Sequence, residues 1–144
     1  MKTVHIGKGT DTMKEVPKPP VYLSEAAKQH FKEMAKKLIK VKRLKDTYLP
    51  ALEIYAESMA LWEYSCRQIR EENKKEMGLG YVQKFKNGVT QNSVWFNHQN
   101  TAIKRLFDCF KQFGLDPAAD KNLKTIDPNQ GNLFEELSRK LSGQ

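Results

Sequence analysis

The amino-acid sequence predicts a mostly α-helical fold, in which a helix-turn-helix-like N-terminal segment leads into a long antiparallel helical hairpin. Apolar residues recur at helical spacing in three long segments, and residues typical of helix starts and ends flank them. The second segment is apolar on several sides, which favours an oligomer. A short stretch between the second and third segments fits a small β-hairpin at the tip of the helical hairpin.

The chain begins with an arm, residues 1–23, that contains several glycines and prolines and little hydrophobic periodicity. This composition predicts a flexible basic arm outside the core. Residues 24–46 are predicted as the first helix and a basic turn, with Ser24 as a favourable N-cap. The residues spaced as one buried helical face are Ala27, Phe31, Met34, Ala35 and Leu38.

The second helix is predicted over residues 47–77, with Asp46 or Thr47 as its cap and Gly78 at its end. A helix of about 30 residues is roughly 45 Å long, whereas a compact chain of this length is roughly 35 to 40 Å across. Its extra apolar surface therefore needs either a long partner helix or a neighbouring subunit. The residues assigned to oligomerisation are Tyr48, Ile54, Leu61 and Trp62.

The predicted β-hairpin pairs residues 81–85 with residues 89–91 around Asn87-Gly88, a dipeptide that favours a type I′ turn. Ser93 then caps a third helix that ends at Gly114. This helix is the natural antiparallel partner of the second helix, so residues 47–114 are predicted to form the helical hairpin and the oligomerisation core.

The C-terminal part divides into two segments. Residues 115–130 are predicted as a short helix, begun by Asp116 and Pro117, and a linker. Residues 131–144 form an amphipathic tail too short to be a stable helix alone in water. Its apolar side either packs on the parent domain or binds a groove of another protein. The residues assigned to partner binding are Leu133, Phe134, Leu137 and Leu141.

Basic residues are concentrated in the first third of the chain. The formal net charge is +8, and residues 1–50 alone hold 12 basic and 5 acidic side chains. A turn between two helices presents long cations together, so we predict contact with a nucleic-acid backbone; the alternative is a solvated turn. Lysine predominates over arginine, which favours phosphate contacts over base reading. The predicted DNA-binding residues are Lys28, Lys32, Lys36, Lys37, Lys40, Lys42, Arg43 and Lys45.

The sequence lacks the motifs of common enzymes and metal sites. It has no GxxxxGKS/T loop, no GxGxxG segment after a strand and no GxSxG elbow. His5, His30 and His98 are scattered, and Cys66 and Cys109 stand far apart, so neither a metal site nor a disulfide is predicted. We expect a protein that is not an enzyme and needs no cofactor. We also expect it to be soluble and intracellular, because no membrane span or secretory signal is recognisable.

Five short segments follow one another in an order that is typical of one protein family. They are Pro19-Pro20, Leu23-Ser24-Glu25-Ala26-Ala27-Lys28, Leu44-Lys45-Asp46, Leu52-Glu53-Ile54-Tyr55-Ala56 and Phe113-Gly114-Leu115-Asp116-Pro117. Over roughly residues 19–124 the chain thus resembles a bacteriophage terminase small subunit. It departs from that pattern at Phe31, where tryptophan is common, and at Asn92-Ser93, where Asn-Pro is common. It departs again at residues 118–121, where a Ser-Arg pair often follows the proline.

The resemblance implies a non-enzymatic DNA-packaging component that forms a ring, binds double-stranded viral DNA and delivers it to a large terminase subunit with ATPase and nuclease activities. It places DNA binding in the N-terminal part, oligomerisation in the central helices and large-subunit contact at the C-terminus, in the host bacterial cytoplasm. Two alternatives remain open from the sequence. One is a small helix-turn-helix DNA-binding regulator, and the other is a protein-binding helical adaptor without nucleic acid.

Overall fold

The computed structural model describes residues 12–115 and 130–143, and in the second range it describes side chains from Glu136 onward. These residues are mostly helical, which confirms the predicted fold class. The elements are α1 (Glu25–Lys40), a 3-10 turn (Asp46–Tyr48), α2 (Leu49–Lys75), β1 (Val82–Lys84), β2 (Thr90–Asn92), α3 (Val94–Gln112) and α4 (Gln130–Leu141). Residues 116–129, which make up almost all of the short helix and linker predicted over 115–130, lie outside the described residues, as do arm residues 1–11.

Helix α2 is the central element, because both α1 and α3 pack against it. Helices α2 and α3 form the predicted helical hairpin. The ring of Tyr55 lies 6.1 Å from that of Phe110 and 6.0 Å from that of Phe113, measured between centroids. Part of the extra apolar surface of α2 is therefore covered within one chain. The largest fully buried apolar side chains are Phe31, Met34, Leu38, Leu44, Leu52 and Phe113.

Serine hydroxyls cap the first and third helices, as the sequence predicts. The Ser24 hydroxyl accepts a hydrogen bond from the Ala27 N–H at 3.2 Å, and the Ser93 hydroxyl accepts one from the Phe96 N–H at 3.1 Å. Each bond satisfies one of the backbone donors that a helix start leaves without a partner. The Ser93 hydroxyl also donates to the Gly80 carbonyl at 2.5 Å, which links the start of α3 to the turn between α2 and β1.

The start of α2 differs from the prediction, which placed a side-chain cap at Asp46 or Thr47. These residues instead form a 3-10 turn that runs directly into α2, and neither the turn nor α2 has a side-chain cap. Pro50 lies in the first turn of α2, where its missing N–H removes a donor that would have no helical partner. Proline and the preceding 3-10 turn thus replace the predicted cap.

Helices α1 and α3 end in the same way, with a residue in the left-handed conformation. After α1 this residue is Lys42 at φ 56°, and the Arg43 N–H donates to the Leu38 carbonyl at 2.8 Å. After α3 it is Gly114 at φ 70°, and the Leu115 N–H donates to the Phe110 carbonyl at 2.8 Å. Both are Schellman motifs. Glycine is the usual residue at this position, so lysine at the end of α1 is unusual.

The predicted β-hairpin is present, but its turn is of another type. Strands β1 and β2 pair antiparallel, with Gln83 opposite Gln91. A type I′ turn would need positive φ at both Asn87 and Gly88. Of these two residues only Gly88 has it, at φ 84°, while the Gly88 N–H donates to the Phe85 carbonyl at 3.0 Å. The loop therefore has three residues, the arrangement in which a left-handed glycine follows a type I turn.

The described part of the arm, residues 12–23, lies along α1. At one end the Met13 N–H donates to the Leu44 carbonyl at 2.7 Å, and Met13 packs against the core. At the other end Leu23 is buried, and the Tyr22 hydroxyl donates to the Glu53 carboxylate at 2.5 Å. The arm thus runs from the end of α1 back to its start.

Candidate nucleic-acid interface

The predicted DNA-binding lysines lie on one side of α1 and on the turn after it. Lys28, Lys32, Lys36 and Lys40, here called the lysine stripe, recur at every fourth residue and therefore at intervals of about 6 Å along the helix axis. The adjoining face of α1 is buried in the core, which fixes the rotation of the helix and holds the stripe at the surface.

The lysines differ in what they contact. Lys32, Lys36, Lys40 and Lys42 are exposed and form no ion pair with any described residue, whereas Lys28 pairs with Glu25 at 2.8 Å. That hydrogen bond and the lysine charge lower the pKa of the Glu25 carboxyl. Lys45 lies over the Tyr48 ring, with its Nζ 5.8 Å from the ring centroid.

Lys37 stands apart from the stripe, because its partner comes from the C-terminal helix. Its Nζ lies 3.5 Å from a carboxylate oxygen of Glu136. Partial burial lowers the pKa of the Lys37 ammonium, and the neighbouring Lys140 lowers it further, while Glu136 raises it. This lysine is therefore less available to an outside anion than the exposed ones.

Arg43 contacts the end of α3. Its Nη1 donates to the Phe113 carbonyl at 3.1 Å and to the Gly114 carbonyl at 2.7 Å. A helix end leaves its last carbonyls without helical partners, and a guanidinium is well suited to bind two of them at once. Arg43 thus joins the turn after α1 to the end of α3. Its two acceptors lie 70 and 71 positions further along the chain, so the spacing of residues in the sequence could not reveal this contact.

The four residues assigned to oligomerisation lie in different environments. Ile54 is 54% exposed, and Leu61 is half-buried. Tyr48 and Trp62 pack against the core, and the Tyr48 ring lies 6.4 Å from that of Phe113. Exposed apolar residues also occur on α3, where Ile103 and Phe107 sit one turn apart and Phe107 is 57% exposed. Helical spacing alone does not distinguish these two residues from the core residues of the same helix.

The residues assigned to partner binding lie in α4, which forms as a helix. Leu137 is only 8% exposed and belongs to the core cluster, whereas Leu141 is 39% exposed. Leu133 and Phe134 lie within the bounds of α4, but their side chains are outside the described part of the structure. For Leu137, the contact with the parent domain favours the packing alternative.

The described residues contain no cluster of three or more histidine, cysteine or acidic side chains that could hold a metal ion. His30 instead lies 3.1 Å from the Glu63 carboxylate, and His98 lies against the Trp95 ring. Within the same residues, no helix combines the length and the apolar character that crossing a membrane requires.

In a comparison with known protein families, residues 27–130 match the family described as phage terminase, small subunit. The chain belongs to the phage terminase small-subunit family. The matched range begins in α1 and ends at the first residue of α4, so it includes both arms of the helical hairpin and the β-hairpin. No curated protein and no solved structure matches the chain.

Membership of this family confirms the resemblance seen in the sequence and gives the terminase small subunit described here a role in phage DNA packaging. The described arm, residues 12–23, lies outside the matched range, as does almost all of α4. The contacts of these two segments must therefore be interpreted from their own residues.

Proposed function

We propose that this terminase small subunit is a non-catalytic packaging component that binds double-stranded DNA in the host cytoplasm. The observation that carries the proposal is the group of exposed lysines on α1 and its turn that pair with no described residue: Lys32, Lys36, Lys40 and Lys42. Such ammonium groups can meet phosphates and release the counterions of DNA without first giving up an ion pair within the protein. Lys28, Lys37 and Lys45 lie beside them.

These lysines act by neutralising phosphates rather than by reading bases. An ammonium group is a point charge without the planar fork that lets arginine recognise guanine. Binding should therefore be similar for different sequences and should weaken steeply with salt, by about 0.9 in log-log slope for each phosphate contacted. Arg43 has another role in this proposal, because its guanidinium already binds the end of α3.

The proposed functional unit is a ring of several chains. Exposed apolar residues on α2 and α3 support this, since Ile54 and Phe107 are both more than half exposed. We assign the contact between chains to Ile54 and Leu61. Tyr48 and Trp62 instead pack against the core and hold α2 in position there. Several weak protomer contacts to one DNA molecule then add up to tight binding through avidity.

The proposed partner of the C-terminal tail is the large terminase subunit, which receives the DNA. Leu141 remains exposed, while α4 is held to its own chain by the burial of Leu137 and by the pair between Lys37 and Glu136. A short helix attached in this way can be captured by a groove of another protein at a modest cost.

The test compares two triple variants with the same change of net charge. The first replaces Lys36, Lys40 and Lys42 by alanine. The control replaces Lys74, Lys75 and Lys84, which each pair with a glutamate near the end of α2 or directly after it. Titration of labelled duplexes over a range of salt should show weaker binding of the first variant to all sequences and a slope smaller by roughly 2 to 3. The control variant should bind nearly as the wild type does.

Two outcomes would contradict the assignment of DNA binding to α1 and its turn. If the first variant binds like the wild type, these lysines do not contact DNA. If both variants lose affinity equally, net charge alone explains the binding, and no particular surface is used.

A further inference from the structure

The arm and α1 together form a groove along the lysine stripe. One wall is the arm, with Val16, Pro17, Lys18, Pro19 and Val21, and the other is formed by Lys28, Lys32 and Lys36. The groove is open to solvent and has a volume of about 370 Å³. Because the arm follows α1 from its end to its start, the groove is parallel to the helix axis.

The lining of this groove is suited to a chain of negative charges. Four lysines line it and no acidic residue does. Lys18, Lys32 and Lys36 are exposed and form no ion pair with described residues. On the helix side the lysines are about 6 Å apart, which is comparable to the separation of successive phosphates on one DNA strand.

The arm wall is stiff and fixed at both ends. Proline fixes its own φ and restricts the residue before it, so the segment around Lys18 has little freedom. The Met13 N–H holds one end to the Leu44 carbonyl, and the buried Leu23 holds the other. A wall that is already ordered loses little entropy when a ligand binds against it.

The same wall limits how DNA can approach. A helix that reads bases lies in the major groove with its side chains towards the base edges. Here the arm lies beside the face of α1 that carries the stripe, so that face is one side of a groove instead of a free convex surface. A sugar–phosphate backbone is narrow enough to enter such a groove, whereas α1 with the arm beside it is wider than a helix alone.

We propose that the groove between the arm and α1 holds the sugar–phosphate backbone of one strand of duplex DNA, and that Lys18 contacts phosphate from the arm side. This inference rests on the proposed DNA binding and adds a binding residue and a direction of approach to it. Lys18 lies outside the range of the family match, so only its position against α1 suggests this role.

The test replaces Lys18 by alanine in the full chain and uses Lys14→Ala as the matched control. Lys14 is an exposed lysine of the same arm that does not line the groove. Fluorescence anisotropy with a labelled duplex of mixed sequence gives the affinity over a range of salt. Lys18→Ala should reduce the slope of log affinity against log salt concentration by about one. Between 50 and 200 mM salt, the loss of affinity of the variant should therefore be smaller than that of the wild type by a factor of roughly three.

Lys14→Ala should leave both affinity and slope close to those of the wild type. Unfolding curves of the two variants should coincide with that of the wild type, since both lysines are exposed. The groove inference is overturned if Lys18→Ala and Lys14→Ala behave alike. If the triple variant of Lys36, Lys40 and Lys42 still weakens binding in that case, the proposed function stands without the groove; if it does not, both fail.

A second measurement tests the proposed contact between Lys18 and phosphate. Neutral methylphosphonate linkages replace the phosphates of both strands of the duplex, and the effect of Lys18→Ala is measured again at low salt. The effect should disappear on the neutral duplex, because no phosphate charge remains for Lys18 to contact. An effect of the same size on the neutral and the charged duplex would contradict the contact.

Discussion

Lys42 holds a backbone conformation that costs free energy in every residue except glycine. Its φ of 56° closes the Schellman motif after α1, at the position where glycine is most often found. We expect Lys42→Gly to raise the free energy of unfolding by about 0.5–1 kcal/mol, because glycine has no Cβ to strain. Urea denaturation measures this change.

Lys42→Ala is the matched variant for that experiment, since it removes the same charge but keeps the strain. The two variants should lose DNA affinity equally, while only the glycine variant gains stability. Equal free energies of unfolding for the two variants would mean that the left-handed conformation at residue 42 does not destabilise the fold. A lysine at a position where glycine is usual agrees with a role for its charge.

Arg43 allows the effects of charge and of shape to be separated. Arg43→Lys keeps the charge but replaces the guanidinium that binds the Phe113 and Gly114 carbonyls. We expect it to lower the free energy of unfolding by about 1–2 kcal/mol and to leave the salt slope of DNA binding unchanged. The control is Lys40→Arg at an exposed position, which should leave stability as it is. Unchanged stability after Arg43→Lys would show that the two carbonyl contacts of the guanidinium do not stabilise the fold.

Cys109 makes the stability depend on pH in the alkaline range. Burial, together with the charge of Asp108, raises the pKa of its thiol to about 11. A folded-state pKa above the unfolded value means that the stabilising effect is complete below about pH 9 and is lost as pH rises towards 11. Cys109→Ala should therefore show a smaller loss of stability over this range than the wild type in urea titrations at several pH values. The same loss in both proteins would rule out the contribution of this thiol.

At the scale of elements, local signals predicted most of the helices and the sheet. Ser24 and Ser93 cap the helices that they were predicted to cap. Such caps can be predicted from the sequence because a cap depends on residues only three positions apart. The start of α2 and the turn of the β-hairpin were predicted less well. In both places the same residues also permit another local arrangement, and the structure has that one. It is a 3-10 turn at the start of α2 and a three-residue loop in the β-hairpin.

The position of α4 could not be predicted, because the contact of Leu137 with the core joins residues far apart in the sequence. We expect Leu137→Ala to lower the free energy of unfolding by about 2 kcal/mol, since it removes a buried side chain. Leu141→Ala is the control on the same helix and should cost less than about 0.5 kcal/mol. Thermal unfolding of the two variants measures the difference. Equal effects would mean that α4 does not dock through Leu137.

At the scale of the whole molecule, the sequence predicted which segments are basic but not how two of them come together. The lysine stripe follows from the four-residue spacing along α1, whereas the groove depends on the arm lying back along that helix. Composition predicted a flexible arm, yet Met13 and Leu23 hold its described part to the core at both ends. Two long-range hydrogen bonds and one buried leucine leave too weak a pattern in the sequence to be recognised without the fold.

The proposed function depends on the assembly of several chains that bind duplex DNA together. Native mass spectrometry at micromolar concentration, with and without a mixed-sequence duplex, tests this assembly. We expect one species whose mass is several times that of a single chain of 16.7 kDa, and a shift by the mass of the duplex when DNA is added. The proposed assembly is wrong if the species has the mass of one chain and this mass does not change when DNA is added.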